Sequence, residues 1–454
     1  MKNIDRPDWN CSTNKGFYNS RRDFLSKSAL GIGGLALADL LSDNGLAQVH
    51  HDAKAKRVIH IFLQGGPTHI DTFDYKPEVN KRDGEKHGNS VILGSPFIWE
   101  KVTDQIWLPE IFPNLKRVAD DICVINSMVT DAPDHNLATI QMHTGSLRFV
   151  RPSVGSWVTY GLGTENRNLP AFVSLRTGGA SNPRAFQSSF LPGEFQGTPI
   201  NTQLGSVSDM ISNIKARNSN STQRSQIDLL TKLNAITQKD SGIFDSRMDS
   251  RIESFELAYN MQVAATDVFD VSKEPEVVQE AYGKTPQGKQ FLTARRLVEK
   301  DVRFVQVYHG SWDHHSDIKG TTARKAAEID KPLAALVEDL SQRGLLDETL
   351  IVVSGEFGRS LKRDNVARGN YGRSHWAKGF SSVMIGGGVK GGIRYGSTDE
   401  LGQMAVEDNM HIHDLHATIL HLLGLDHEKL VHRFGGRDFR LTDVYGEVAK
   451  EIIA

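Results

Sequence analysis

The stretch VRFVQVYHGSWDHHSD, residues 302–317, indicates the fold of the whole chain. Its first half is a run of β-branched and aromatic residues, which is typical of a buried strand. Asp313, His314 and His315 follow that strand closely, and in open α/β sheets ligands bind just beyond the carboxyl ends of strands. One carboxylate and two imidazoles suit zinc or a similar divalent ion, although a solvated polar loop would have the same composition.

Strands and helices alternate along the rest of the sequence. The clearest pass runs from the strand at 302–308 through a helical stretch at about 321–343, where Pro332 predicts a kink or restart, to a strand at 349–354. Further strands are predicted at 57–63, 121–125, 171–175 and 381–385. This alternation favours a mostly parallel sheet with helices on both faces, that is, a three-layer α/β/α sandwich.

Ligand-type side chains follow more than one of these strands. Glu356 comes just after the strand at 349–354, and His375 follows a Gly/Arg-rich loop. Because strands joined by right-handed crossovers end at the same edge of a sheet, we expect these side chains beside Asp313. A divalent ion held there would polarise an ester oxygen or activate water. The predicted metal ligands are Asp313, His315, Glu356 and His375, with His314 as a further ligand or a supporting side chain.

Two arginines flank the same edge. Arg359 and Arg373 could each bind an anionic group of a substrate in bidentate fashion, and we predict that role for them. The alternative is that both arginines pair with local carboxylates.

A group of histidines near the carboxyl terminus could be a second metal site or part of a structural helix. His411, His413, His416 and His421 resemble a metal cluster, but the apolar residues among them have the spacing of an amphipathic helix. Asp414 is well placed as the N-cap of that helix. A structural helix is therefore favoured over a metal site here.

The composition excludes several classes of partner. Acidic and basic residues nearly balance, at 55 against 53, so no overall charge would attract nucleic acid or anionic lipid. No stretch approaches the roughly 20 apolar residues that cross a bilayer. We expect no nucleic-acid partner and no membrane span, and these features leave the oligomeric state open.

The amino terminus carries a twin-arginine motif. Residues 20–27 read SRRDFLSK, a weakly apolar stretch follows, and the small residues before position 48 suit a signal peptidase. We expect residues 1–47 to be a signal peptide, read by the twin-arginine export machinery, and the protein to be periplasmic or otherwise exported. The alternative is an amphipathic first helix with a chance arginine pair. Beyond a polar spacer at 48–56, we expect one α/β domain over 57–454, with a helical insertion at about 205–300.

Five segments resemble those of a known family. They are QGGPTHIDTFD (64–74), SSFLPGEFQG (188–197), VRFVQVYHGSWDHH (302–315), SGEFGR (354–359) with GRSHW (372–376), and DLHATILHLLGLDHEKLVHRFGGRDFRLTDVYGEV (414–448). They resemble the domain-of-unknown-function 1501 family of exported bacterial proteins, in the alkaline-phosphatase-like (sulfatase-like) superfamily. The resemblance implies a three-layer α/β/α fold and metal-assisted hydrolysis of phosphate or sulfate esters.

Compared with that superfamily, the sequence departs at three positions. A metal-binding Asp usually ends the first strand, where this chain has Gln64. The nucleophile, a Ser, Thr or Cys, usually lies two residues before a Pro, where this chain has Asp131 with Thr130 beside it. The late strand usually ends in Asp-His-Gly, and here Glu356 takes the first place while the imidazole is missing. A single-metal site therefore fits better than a two-metal site, with Thr130 and Asp131 as candidate catalytic residues and Gln64 and His69 as candidate substrate contacts.

Two hypotheses for the function follow. The first is an exported, metal-dependent hydrolase of a phosphate or sulfate ester, on a small molecule or a polysaccharide, with zinc favoured and manganese or calcium as alternatives. The second is a non-catalytic binding protein for anionic polysaccharide on a degenerate phosphatase-like fold. Gln64 and Phe357 favour the second, because they stand where the superfamily places ligands.

Overall fold

A computed structural model describes residues 49–176, 182–204, 207–211, 218–241, 246–364 and 370–454, so the twin-arginine motif and the predicted cleavage site lie outside the described residues. The strands are β1 (Arg57–Leu63), β2 (Lys86–His87), β3 (Ser90–Val91), β4 (Trp99–Lys101), β5 (Trp107–Pro109), β6 (Ile122–Val129), β7 (Phe172–Arg176), β8 (Thr198–Asn201), β9 (Phe304–His309), β10 (Thr349–Ser354), β11 (Gly358–Asp364), β12 (Gly372–Trp376), β13 (Phe380–Ile385), β14 (Ile393–Tyr395), β15 (Ser397–Thr398), β16 (Ala405–Glu407), β17 (Met410–His411), β18 (His432–Phe434) and β19 (Arg437–Phe439). The helices are α1 (Pro77–Lys81), α2 (His135–Thr144), α3 (Val154–Leu162), α4 (Val207–Met210), α5 (Asn220–Ser241), α6 (Ser246–Val268), α7 (Glu276–Tyr282), α8 (Pro286–Glu299), α9 (Ile318–Gln342) and α10 (Ile412–Leu422).

The central sheet has the strand order β14-β6-β13-β10-β1-β9-β7-β8, and β17 also pairs with β6. Strands β10, β1, β9, β7 and β8 pair in parallel along this order, as do β14 and β17 with β6. Only β13, among the strands of this described sheet, runs antiparallel to its neighbours. The predicted mostly parallel sheet is confirmed.

Both faces of the sheet are covered by helices. Ile59 and Ile61 of β1 belong to an apolar core that includes residues of α8 and α9. Val58 and Phe62, which alternate with them, belong to a second core that includes residues of α3 and α10. Because alternate residues of one strand are buried on opposite sides, the predicted three-layer α/β/α arrangement is confirmed.

Three local predictions need correction. Strand β6 continues to Val129 rather than ending at residue 125, because its polar residues are bonded within the fold, as Asn126 is by the Ser381 hydroxyl at 2.8 Å. Helix α10 is capped by His411, and Asp414 lies three residues later, where its carboxylate accepts from the His411 amide at 2.8 Å. Helix α9 continues through Pro332 instead of restarting there.

A row of buried polar side chains crosses one face of the sheet. His60 on β1 pairs in register with Gln306 on β9, and Gln306 pairs with Ser174 on β7. The Ser174 hydroxyl donates to Gln306 at 2.7 Å, and His60 Nε2 lies 2.8 Å from the Ser354 hydroxyl. The Gln306 amide lies 3.1 Å from Nδ1 of His143, which is in the last turn of α2. The row is therefore satisfied while its histidines are neutral.

This row makes folding sensitive to acid. Burial lowers the pKa of His60 from 6.5 to about 4, and it lowers the pKa of His143 as well. Below pH 6.5 the unfolded chain therefore binds more protons than the folded chain, and stability is lost as the pH falls towards the folded pKa. For His60 the difference corresponds to about 3 kcal/mol. We expect the free energy of unfolding in urea, with a chelator present, to fall by at least about that much between pH 7.5 and 4.5.

A matched variant separates this effect from general acid unfolding. His60→Gln can still bond to Ser354 but has no proton to gain, so its stability should depend less steeply on pH. Equal slopes for the variant and the wild type over pH 6.5 to 4.5 would contradict the assignment.

Candidate metal centre

Three separate parts of the chain bring ligand-type side chains to one edge of the sheet. Asp313 and His315 lie on the loop after β9, and His135 is the first residue of α2, just beyond β6. His375 lies on β12, outside the central sheet. It reaches the same edge because the β11–β12 hairpin folds against the loop after β9, where the Arg373 amide donates to the carbonyl of His314 at 3.0 Å.

His135, Asp313, His315 and His375 form a compact donor cluster. One ligand atom from each of them lies within 4.8 Å of the others. The Nε2 atoms of His315, His135 and His375 lie 2.9, 3.2 and 3.4 Å from Asp313 Oδ1. His315 Nε2 and His375 Nε2 are 3.0 Å apart, so at least one of them presents a lone pair rather than a hydrogen to the other.

The second nitrogen of each imidazole is held from behind. His135 Nδ1 lies 2.6 Å from Glu356 Oε1, and His315 Nδ1 lies 2.6 Å from Asp364 Oδ2. His375 Nδ1 lies 2.9 Å from the carbonyl oxygen of Pro133. Histidines that bind metals usually have their other nitrogen bonded to a carboxylate or carbonyl in this way, which fixes the tautomer and the direction of the free lone pair.

The carboxylates around the cluster favour a proton on His135, at the place where an ion would bind. Burial alone would lower the pKa of His135, but its bonds to Asp313 and Glu356 outweigh that and raise it to about 9. Burial would raise the pKa of Asp313, yet the bonds from His135 and Arg359 lower it well below its usual range. A cation entering the cluster would therefore displace a proton from His135, so its binding should strengthen as the pH rises.

The chemistry of the donor set fits a single divalent ion. Three imidazole nitrogens and one carboxylate oxygen are ligands of the kind that zinc takes in proteins. The four side chains are each partly exposed, with Asp313 the most open at 44%. The cluster is thus both chemically suited to a metal and reachable from solvent.

Glu356 and His314 lie next to this cluster but outside it. The buried Glu356 carboxylate accepts from the Gly65 amide at 2.9 and 3.1 Å as well as contacting His135, so it orients a donor. His314 turns away and lies 3.2 Å from the Thr322 hydroxyl and 3.1 Å from the Ser311 carbonyl. Of the five side chains predicted as ligands, the structure therefore brings Asp313, His315 and His375 together.

The two arginines predicted to bind an anion are both fully buried. Arg359 donates to the carbonyl oxygens of Gly65 and Gly66 and to Asp313 Oδ1, the last at 2.5 Å. Arg373 forms a forked ion pair with Asp71, with distances of 2.6 and 3.0 Å. Their donors serve the loops around the cluster, which corresponds to the alternative of pairing with local carboxylates.

The other predicted site residues have varied surroundings. His69 is buried and donates from Nε2 to the Gly402 carbonyl at 2.7 Å, so it lies beneath the surface. The half-buried Gln64 has its backbone hydrogen-bonded to His309, the last residue of β9, and to Trp312 in the loop that follows. The His69 side chain is buried and the Gln64 side chain is only partly exposed, so neither is well placed to contact a substrate.

The two candidate catalytic residues lie at the end of β6. Thr130 is buried and donates its hydroxyl to Gln141 Oε1 at 2.8 Å. The Asp131 carboxylate is half exposed, accepts from the Gln141 amide, and lies 3.3 Å from His411 Nε2. Of these two side chains, Asp131 is the one open to solvent.

Gly65 permits the close approach of two loops at the cluster. A Cβ atom there would lie 2.5 Å from the Asp313 amide nitrogen and 2.7 Å from that of Trp312, and its φ is +118°. The backbone carrying Asp313 would therefore have to move. We expect Gly65→Ala to weaken metal binding at least tenfold, measured by competition with a chromophoric chelator.

Gly84→Ala is the matched control for backbone strain. Gly84 also has a positive φ, of +85°, but a Cβ there would meet nothing within 4 Å. If both alanine variants weakened metal binding equally, the close approach at Gly65 would not be the cause.

His135 was not among the residues predicted from the sequence. It follows strand β6 within a few residues, as Asp313 follows β9. That position at a strand end was the available signal. Asp364, which holds His315, gives no comparable signal, because only the folding of the hairpin brings it near.

Comparison with known proteins places the chain in a sequence family. A family model described as a protein of unknown function, DUF1501, matches residues 55–453. A comparison with curated proteins found no match.

Solved structures of several proteins are similar to the chain. The crystal structure of Ps i-CgsB is 12% identical, with a TM-score of 0.38, over 82% of this chain and 72% of that one. The PsFucS1 sulfatase from Pseudoalteromonas sp. is 13% identical, with a TM-score of 0.38, over 82% and 68%. The alkaline phosphatase from the Antarctic bacterium TAB5 is 12% identical, with a TM-score of 0.36, over 82% and 98%. At such low identity and TM-scores, the chemistry has to be argued from the site itself.

Proposed function

The chain belongs to the DUF1501 family, as its sequence segments predicted, and we propose that it is a metal-dependent hydrolase of phosphate or sulfate esters. The single observation that carries the proposal is the cluster of three imidazoles and one carboxylate, each imidazole held from behind. A structural ion pair would need neither three histidines nor this orientation. Zinc is favoured over calcium, which takes oxygen ligands only.

In this proposal His135, Asp313, His315 and His375 hold the ion. A bound divalent ion supplies a Lewis acid that polarises an ester oxygen. Glu356 and Asp364 orient two of the imidazoles, and Arg359 fixes the Asp313 carboxylate. Of the two candidate catalytic residues, we assign the role of general base to Asp131 rather than Thr130. The Asp131 carboxylate is exposed and faces His411. The predicted anion contacts through Arg359 and Arg373 are not retained, since both guanidinium groups are buried and engaged.

A panel of nitrophenyl esters tests the proposal. Protein loaded with zinc, manganese or calcium should hydrolyse at least one phosphate monoester, phosphate diester or sulfate ester above background. The rate should be lost in Asp313→Asn and kept in His87→Ala, a histidine on β2 far along the sequence from the cluster. Turnover that survives Asp313→Asn unchanged would contradict the assignment of the site.

A non-catalytic binding protein for anionic polysaccharide is the second candidate, and one observation favours it. Four protein donors would fill all the positions of a four-coordinate ion, whereas catalytic zinc sites usually have three protein ligands and an open position. A protein that holds one ion per chain but turns over no ester in the panel would favour this second candidate over the hydrolase.

We also propose export through the twin-arginine pathway, on the motif at residues 20–27. The described residues contain no helix whose length and apolar character would let it cross a membrane. Arg21→Lys combined with Arg22→Lys should leave the protein in the cytoplasm with its leader attached, as measured by cell fractionation and intact mass. Export of the double variant at the wild-type level would contradict the proposal.

A further inference from the structure

A two-stranded hairpin near the carboxyl terminus, separate from the central sheet, lies outside the proposed metal centre. Strands β18 and β19 pair antiparallel, and Gly435 and Gly436 form the two-residue turn between them. Both glycines have positive φ, as tight hairpin turns require, and a Cβ atom on either would meet nothing within 4 Å. The turn is therefore surrounded by solvent.

One face of the hairpin is aromatic. His432 lies opposite Phe439, and Phe434 lies opposite Arg437, so these four side chains share a face. Phe190 packs against that face, nearly parallel to Phe434 with ring centroids 5.2 Å apart. Phe434 nevertheless remains 52% exposed. Phe149, on the loop after α2, is 68% exposed nearby.

Guanidinium groups lie against the same rings. Arg151 lies 4.5 Å from the centroid of Phe439 and 5.8 Å from that of Phe149. Arg437 lies 5.0 Å from the centroid of Phe439. These cation–π contacts join the hairpin and the loop after α2 into one continuous surface.

This surface has an excess of positive charge, although the whole chain has a net charge of −2. Arg151 and Arg437 share one carboxylate, that of Asp443, at 3.6 and 2.6 Å. Arg440 lies 3.5 Å from Glu428, and Arg148 is exposed beside Phe149. Four guanidinium groups thus face two carboxylates, but the Arg151 side chain is only 11% exposed, so Arg148 and Arg437 are the arginines most open to a ligand. An anionic ligand would complete the pairing of the arginines.

We propose that this surface, formed by Arg148, Phe149, Phe434, Arg437 and Phe439 with the largely buried Arg151 between the rings, binds an acidic polysaccharide. Sugar rings have apolar faces that pack on exposed aromatic rings, and their carboxylate or sulfate groups pair with guanidinium. A contiguous patch of exposed aromatic rings is typical of an interaction site, and the excess of arginines over carboxylates favours an anionic ligand. Binding here requires no metal, so it stands apart from the proposed hydrolysis.

The surface is also connected to the metal centre through one helix. Helix α2 begins at His135 and ends at Thr144, just before the loop that carries Phe149. Ten residues of α-helix span about 15 Å. The donor cluster and the loop that carries Phe149 therefore lie at opposite ends of this helix.

Binding of defined polysaccharides by isothermal titration tests the proposal. The probes are heparin, which is sulfated, polygalacturonate, which carries carboxylates, and uncharged dextran. We expect one or both acidic polymers to bind at least tenfold more tightly than dextran. Phe434→Ala and Arg437→Gln should each weaken that binding at least tenfold, and both should be folded by circular dichroism.

Arg433→Gln is the matched control on the same hairpin. Arg433 points to the opposite face, where it pairs with Asp438 at 3.2 Å. Its loss should change affinity less than twofold. Equal weakening by Arg433→Gln and Arg437→Gln would show general charge attraction and overturn the proposal. So would equal binding of dextran, absence of any binding, or a dimer that Phe434→Ala dissociates.

Discussion

Replacing His135 with alanine should remove the metal from the protein. The variant loses one of four donors and leaves Glu356 buried beside the Gly65 amide without its imidazole partner. We expect wild-type protein to hold about one divalent ion per chain by elemental mass spectrometry, and His135→Ala to hold less than about a tenth of that. His375→Ala should behave in the same way.

Glu356→Gln distinguishes an orienting role from a ligand role. If Glu356 only orients His135, its amide replacement should weaken metal binding by about 10- to 100-fold and still reach one ion per chain at saturation. His87→Ala should bind like the wild type. Full metal content in His135→Ala, or complete and unsaturable loss in Glu356→Gln, would reverse the assignment of the two residues.

Among the substitutions proposed here, breaking the Arg373–Asp71 ion pair should lower the stability of the fold most. Both side chains are fully buried, and the pair is forked. Arg373→Met would leave the Asp71 charge buried with the Thr68 hydroxyl as its remaining side-chain partner, at 2.7 Å. We expect the free energy of unfolding to fall by about 3–5 kcal/mol, measured by urea denaturation.

The β11–β12 hairpin, which carries Arg373, also provides the control for this prediction. Arg363 also pairs with an aspartate, Asp83, at 3.1 Å, but both partners are partly exposed. Arg363→Met should therefore cost less than about 1 kcal/mol. Adding Asp71→Leu to Arg373→Met should restore part of the loss, because the isolated charge is then gone. A cost for Arg373→Met no greater than that for Arg363→Met would refute the assignment.

The sequence predicted the sheet well because periodicity and strand length are local properties. Arg57–Leu63 and Thr349–Ser354 lie where the apolar runs placed them. Strand β6 was predicted too short because its polar Asn126 and Ser127 interrupt the apolar pattern, and their partners Ser381 and Asp408 are far away in sequence.

The site was predicted less completely because it depends on contacts between distant residues. Asp313, His315 and His375 could be found from their positions after strands. Glu356 has the same kind of position, yet its carboxylate turns towards the Gly65 amide and serves His135 instead. The roles of Arg359 and Arg373 depend on the β11–β12 hairpin folding against two loops, and no sequence pattern encodes that.

The four donors come from segments that meet only when nearly the whole sheet is assembled. An unfolded chain cannot offer them together, so an ion that binds the cluster is a ligand of the native state alone. At a free concentration 100 times its dissociation constant, such an ion shifts the folding equilibrium by about 2.7 kcal/mol. The melting temperature should therefore rise with ion concentration, and this dependence measures the affinity of the centre without any substrate.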